Sequence, residues 1–480
     1  MAPVSESSDF YYGSRLLSPL VPILGLSIDQ INFLVCQLVA MAIGIPFRNM
    51  LDPRSTSPRV RHAVELLLGI ALVLFCFGSQ IIHLFIQATL GYVLLQFVGQ
   101  KWMPVSVFVV AMGYLAWCHI HRMILDYGGY TLDITGPLMI SVQKITVVAF
   151  GLNDGKNREE KDLNPNQKSK AIREMPDVLT YYSYIFSFHN VMCGPLVFYK
   201  DYCAFIDGSC YTSNSENSNN KGIPSPKEVF LQKLVTVVIL GALMMMEPFI
   251  APWSRMKDDD FLYNTTWIYR NFYLLCSMTM HRPMYYFAWK LGELVNNSCG
   301  LGFSGYDDKG NSKWDLLDNV KIYQLETCTS LKVNVDSWNV TTAHWLRYSV
   351  YERCPASIAT WAVFIISAFW HGFYPGYYMA FLTAALFTTA ARLIRRNIRP
   401  YFIQSSNLQF FYDCVTFTFT RFANVIMVGS FSLLEVRASL ALYTSLFWWL
   451  HLLSFGAIVY YNFLQRIIFP VKKDKASKSS

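Results

Sequence analysis

Charge is scarce in this chain: Asp, Glu, Lys and Arg make up 15% of its 480 residues, where soluble domains carry roughly 25%. That excludes a soluble domain of ordinary surface. No Cys-x-x-Cys pair occurs among the 11 cysteines, which sit mostly inside apolar stretches. Neither a zinc site nor a disulfide framework is therefore indicated, and cysteine reads as small core filler. The opening "MAPVSESSDFYYGSR" lacks the basic start and short apolar run of a cleavable signal peptide, which leaves insertion to the first span. A repeat of fixed period is missing too, which removes support for a transporter built from duplicated halves.

Apolar side chains are abundant, at 53% hydrophobic and 16% aromatic. Windows of about 20 apolar residues, enough to cross a hydrocarbon core of roughly 30 Å, recur from Ile28 to Tyr461. Clear candidates are Ile31 to Phe47, Ala63 to Gly78, Ile81 to Gly99, Val105 to Cys118, Val229 to Met246, a pair around His371, Phe410 to Phe431 and Leu442 to Phe463. With weaker aromatic segments at Val178 to Phe198 and Phe261 to Met280, an all-α polytopic membrane protein of about eleven crossing or dipping helices is expected. The expected organisation is a polar segment over residues 1–27, one membrane domain over 28–465 with a Ser/Asn-rich loop at 208–228, and a basic tail over 466–480.

Lys and Arg exceed Asp and Glu by eight. In a membrane protein such an excess first reports topology through cytosolic loops. Arg48 to Arg61, Lys156 to Arg173, Arg392 to Arg399 and Lys472 to Lys478 are the basic clusters, so those ends are expected in the cytosol. From Arg353 the chain runs about one thin membrane's worth to His371 and returns to Arg392, which sets His371 deep in the membrane or near its far face.

An ionisable group at that depth is costly and by default points to function, although many such groups are helix-to-helix glue. His371 lies in "SAFWHGFYPGYY", beside Gly372, Pro375 and Gly376, residues that favour irregular backbone. Irregular backbone at membrane depth is tolerated where it is buried in protein or lines a cavity. A neutral imidazole there can take a proton from a hydroxyl; the bland alternative is packing. The segment "VNVDSWNVTTAHWLRYSVYER" is too polar to face lipid, and Asn339 in it also begins an Asn-x-Thr sequon or caps a helix. Lys290, Glu293, Asn296 and Asn297 read as a helix ending in a glycine-rich turn. "HRMILD", His121 to Asp126, fits a rival His-x-x-x-x-Asp acyltransferase box whose usual Glu-Gly-Thr-Arg companion is missing.

Taken together, "WHGFYPGYY", "WNVTTAHWL" and "YYFAW…NN…GFSG" resemble the membrane-bound O-acyltransferase family, and within it the branch that reacylates lysophosphatidylethanolamine and lysophosphatidylserine. "TGPLMISVQKIT", "GPLVFYKDYCAFIDG" and "WDLLDNVKIYQLET" extend the resemblance over nearly the whole chain. The resemblance implies a helix bundle around a tunnel in the endoplasmic reticulum membrane, with acyl-CoA (oleoyl-CoA in that branch) and a lysophospholipid as co-substrates. It implies no further cofactor, no metal and no nucleic-acid partner, and it casts His371 and Asn339, 32 residues apart in the chain, as the catalytic pair. The CoA phosphates and adenine call for cations and aromatics, for which Lys144, Arg347, Trp338 and Trp345 are candidates, with Gln143, Trp370 and Tyr374 as further substrate-binding residues. The alternatives are another acyl acceptor on the same scaffold, or a lipid transporter that consumes no CoA.

Overall fold

The computed structural model describes residues 10–129, 131–211 and 223–464. The first nine residues, most of the expected 208–228 loop and the basic tail lie outside that range. Ten helices position the site: α1 Ile28–Met50, α2 Pro58–Phe77, α3 Ile81–Phe97, α4 Met103–Leu125, α5 Thr135–Lys156, α6 Val178–Ile185, α7 Lys227–Ile250, α8 Pro283–Cys299, α9 Val340–Ser349 and α10 Ala359–His371. They are followed by α11 Pro375–Phe402 and α12 Ser406–Leu433. Among the described residues the only strands form a short antiparallel hairpin pairing Gly305 with Lys313 and Tyr306 with Ser312.

Seven stretches of the described residues are long and apolar enough to cross a membrane, or eight if the bent pair Val436–Ser445 and Trp449–Leu464 counts as one span. One of the seven runs from Pro58 to Phe97 through a single turn at Gly78 to Gln80. The two weaker aromatic segments differ from expectation. Val178 to Phe198 is helical only to Ile185 and then continues as buried turns. Phe261 to Met280 breaks into Asp259–Asn264 and Trp267–His281. In the first case the helix ends just ahead of the polar run Ser187, His189 and Asn190, Pro195 disfavours its resuming, and buried protein partners satisfy the irregular backbone.

Contacts divide the chain into two compact units. The first comprises Met1–Met246, Arg282–Lys321 and Trp338–Phe373, and the second Glu247–His281, Ile322–Ser337 and Tyr374–Ser480. At the heart of the first unit stands α5, which buries 16 of its 22 residues. By contrast α7 buries only Val237 and Leu240; Val237 packs against Leu291 and Leu294 of α8, and the helix's outer side is left for lipid. Close packing is set by glycine: Gly69 of α2 rests on the Phe186 carbonyl so tightly that a methyl group would collide with it. The segment before α1 is tied down at Tyr11, which is buried and accepts a 2.8 Å hydrogen bond from Asn32.

The second unit is built on α11 and α12, antiparallel neighbours joined by a short turn. The Gly376 amide donates to the Leu434 carbonyl at 2.7 Å. Arg421 of α12 donates to Glu326 at 3.0 Å and to the Leu325 carbonyl at 2.6 Å, which fixes the Ile322–Thr327 helix against it.

Candidate active site

Three residues of one α5 stripe, Met139, Gln143 and Thr146, carry the segments that hold Asn339 and His371. Their spacing of four and three puts them on a single helix face. The Met139 carbonyl accepts from Trp370 Nε1 at 3.0 Å, Gln143 Nε2 donates to Thr342 Oγ1 at 3.0 Å, and Thr146 Oγ1 accepts from Trp345 Nε1 at 2.9 Å. Trp345 of α9 and Trp370 of α10 then meet with ring centroids 5.7 Å apart. Asn339 stands immediately before α9, about 9 Å along its axis from Trp345, and His371 is the residue after Trp370.

His371 closes α10 and is only partly buried, whereas Trp370 beside it is buried. Its ring packs edge-on against the Trp370 indole at 4.7 Å. Gly372 follows with φ of 118°, a backbone that L side chains rarely adopt. The helix therefore stops at the histidine.

Asn339 is the N-cap residue of α9 and adopts φ 45°, ψ 58°, one of four non-glycine residues with positive φ among those described. Such backbone costs of order 1–3 kcal/mol and persists only where its surroundings enforce it. Here the enforcing group is Asn319. Its carbonyl accepts the Val340 amide at 2.8 Å, and its Oδ1 accepts the Thr341 amide at 2.9 Å and the Thr341 hydroxyl at 2.8 Å. Asn319 is held in turn, because its own amide donates to buried Glu293 at 2.7 Å. Lys233 and Lys290 bracket that carboxylate at 3.1 and 2.7 Å. Asp318 joins Lys233 at 2.6 Å; burial alone would push its carboxyl up, but the ammonium outweighs burial and holds it below its ordinary value.

Comparison with known proteins gives the chain's family. The model of the membrane-bound O-acyltransferase family matches residues 95–429. A Gallus gallus protein named membrane-bound glycerophospholipid O-acyltransferase 2 is 42% identical, covering 96% of this chain and 89% of that protein. The Homo sapiens membrane-bound glycerophospholipid O-acyltransferase 1 is 41% identical, covering 96% and 95%. A Saccharomyces cerevisiae lysophospholipid acyltransferase is 32% identical, covering 77% and 64%. The chain belongs to the membrane-bound O-acyltransferase family. It is an all-α, multi-pass membrane enzyme that transfers acyl groups.

Within this O-acyltransferase the expected substrate-binding residues part company. Lys144 does not serve a phosphate. Its ammonium is fully buried and donates to the Tyr184 carbonyl at 2.7 Å, the Ile185 carbonyl at 3.2 Å, Ser187 Oγ at 2.9 Å and Asn190 Oδ1. Tyr184 and Ile185 end α6, so the lysine satisfies carbonyls that the terminated helix leaves open. Trp345 is likewise sealed, with no face left for adenine. Arg347 is at the surface, paired with Glu352 at 3.1 Å.

Trp338 is partly buried and packs on α8, 5.0 Å from Trp289 and 5.6 Å from Tyr285. Tyr374 caps α11 in the second unit, its ring 5.8 Å from Tyr377. Gln143 is buried and its Oε1 has no hydrogen-bond partner. In the rival box, His121 is exposed on α4 and Asp126 lies five residues on, about 140° around the helix. The two do not share a face.

The sequence offered Asn319 only inside "WDLLDNVK" and did not single out His119, two residues before that rival box. No spacing rule marks either, because each reaches its partner across the fold.

Proposed function

We propose that the enzyme moves an acyl chain from acyl-CoA to the sn-2 hydroxyl of a lysophospholipid, with His371 as general base and Asn339 as its partner. The observation that carries the reading is the join of α9 and α10 through Trp345 and Trp370, which brings two distant stretches of sequence to one α5 stripe. The relatives' names, glycerophospholipid and lysophospholipid acyltransferase, support the substrate class. The quoted motifs favour lysophosphatidylethanolamine and lysophosphatidylserine as acceptors, oleoyl-CoA as donor and the endoplasmic reticulum as the membrane.

In this mechanism neutral His371 removes the proton from the lipid hydroxyl as its oxygen attacks the thioester carbonyl. The tetrahedral oxyanion then collapses, the carbon–sulfur bond breaks, and the imidazolium returns its proton to the departing CoA thiolate. General-base help of roughly 10²–10⁴-fold together with positioning suffices for an already activated thioester. The Asn339 amide donates to the developing oxyanion or orients the ring, and the strained cap at that residue is the backbone cost of holding it there. A membrane-buried base keeps water from competing for the thioester.

The test is product identification. The purified chain in lipid nanodiscs, given oleoyl-CoA and a panel of lysophospholipids, is expected to form diacyl phosphatidylethanolamine or phosphatidylserine by mass spectrometry. Acylation of none of the panel, with transfer to a sterol or diacylglycerol, would reassign the acceptor.

A further inference from the structure

The last carbonyls of a helix have no amide four residues ahead to bond. At the end of α10 the Gly372 amide serves two of them, those of Ala368 and Phe369, each at 3.2 Å. The next, that of Trp370, would need the Tyr374 amide, but Gly372 at φ 118°, ψ −161° turns the chain out of the helix. His119 of α4 takes its place, with Nε2 3.1 Å from the Trp370 oxygen. A carbonyl oxygen only accepts, so Nε2 carries the hydrogen.

His119 is buried, and its ring also lies against Gly372, the residue that follows His371. A side-chain carbon added at Gly372 would lie 3.2 Å from His119 Cγ and 3.3 Å from Nδ1, inside ordinary contact distance. One imidazole thus grips the residue before His371 by a hydrogen bond and the residue after it by packing.

We propose that His119 is a positioning residue for His371: its Nε2–H caps the Trp370 carbonyl and its ring seats Gly372, so that the base at the end of α10 has one backbone position. This rests on the acyl-transfer reading above. The side chain acts through the α10 backbone rather than on substrate, and the loss should fall on turnover rather than on binding.

The replacements separate a donor from mere bulk. Glutamine places an amide N–H where Nε2 stood, asparagine places one nearer Nδ1, and leucine keeps volume without a donor. In full-length protein compared at equal folded fraction, His119→Leu and His119→Asn should lower kcat by roughly 10- to 100-fold, the scale of a small misplacement of a reacting group. KM for both substrates should stay close to that of the parent, and His119→Gln should recover most of the turnover.

Hydrogen exchange of residues 369–374 provides a reading independent of activity: faster in His119→Leu and His119→Asn, unchanged in His119→Gln. Full turnover in His119→Leu, a loss confined to KM, equal rescue by Asn and Gln, or unaltered exchange in His119→Leu would each overturn the proposal. If the parent protein acylated no lysophospholipid, the reading of function would fail, and the exchange measurements would still decide whether His119 holds the helix end.

Discussion

Asn339 and His371 differ in what their backbones demand, and that difference separates folding from chemistry. His371 ends an ordinary helix, so His371→Ala should leave folded protein while acyl transfer falls by roughly 10²–10⁴-fold, the scale of a lost general base. Asn339 sits at φ 45°, where glycine is at ease. Asn339→Gly should therefore keep or raise thermal stability while kcat drops by roughly 10²–10³-fold, as when an oxyanion donor is removed. An equal loss of stability and activity in that variant would mean the amide is structural.

Lys144 offers the opposite case. Lys144→Met leaves two carbonyls, a hydroxyl and an amide oxygen without their donor, at about 1–3 kcal/mol for each one left unsatisfied. The unfolding midpoint in detergent should fall, while the fraction that folds keeps the parental KM for acyl-CoA. A raised KM at parental stability would restore Lys144 to the donor site.

At the scale of elements, the long spans could be read from apolar runs because twenty lipid-compatible residues carry one meaning. The segments that build the site could not be read as completely. Residues 178–198 have the composition of a dipping helix, yet the fold uses Lys144 to close α6 early and runs the rest as buried turns. The position of Asn339 depends on Asn319, which bonds the next two residues, and on Glu293, which holds Asn319, and these meet only after α8 and the loop behind it have packed. His371 and Asn339 stood out in the sequence because motif and cost of burial coincide there; His119 and Asn319 did not, because hydrogen bonds across the fold leave no periodic trace.

Two measurements probe these elements. Gly69→Ala forces α2 away from the Phe186 carbonyl and should cost about 1–3 kcal/mol or more in unfolding free energy, as overpacking does. The Asp318 carboxyl is held below its ordinary value by Lys233. Its stabilising share is thus complete above the unfolded carboxyl value, about 3.9, and is lost as pH falls through the depressed folded one. Asp318→Asn should remove that acid-side dependence and lower the midpoint at neutral pH. A parallel pH–stability curve in parent and variant would show the pair to be inert.

For the molecule as a whole, the proposed function follows from keeping one ionisable ring at the end of a helix inside a lipid-facing bundle. Leu67, Val238, Met245, Phe249 and Phe410 are among many large apolar side chains left exposed for lipid, while α5 collects the polar groups that fix the site. The central claim is that His371 couples a lipid hydroxyl to a thioester. The most direct measurement is release of free CoA thiol from oleoyl-CoA by the full chain in nanodiscs, with and without lysophosphatidylethanolamine or lysophosphatidylserine, for the parent and His371→Ala. Thiol release that requires the lyso-lipid and disappears in His371→Ala is the predicted result. Release at the parental rate from the variant, or release by the parent that ignores the lyso-lipid, would contradict it.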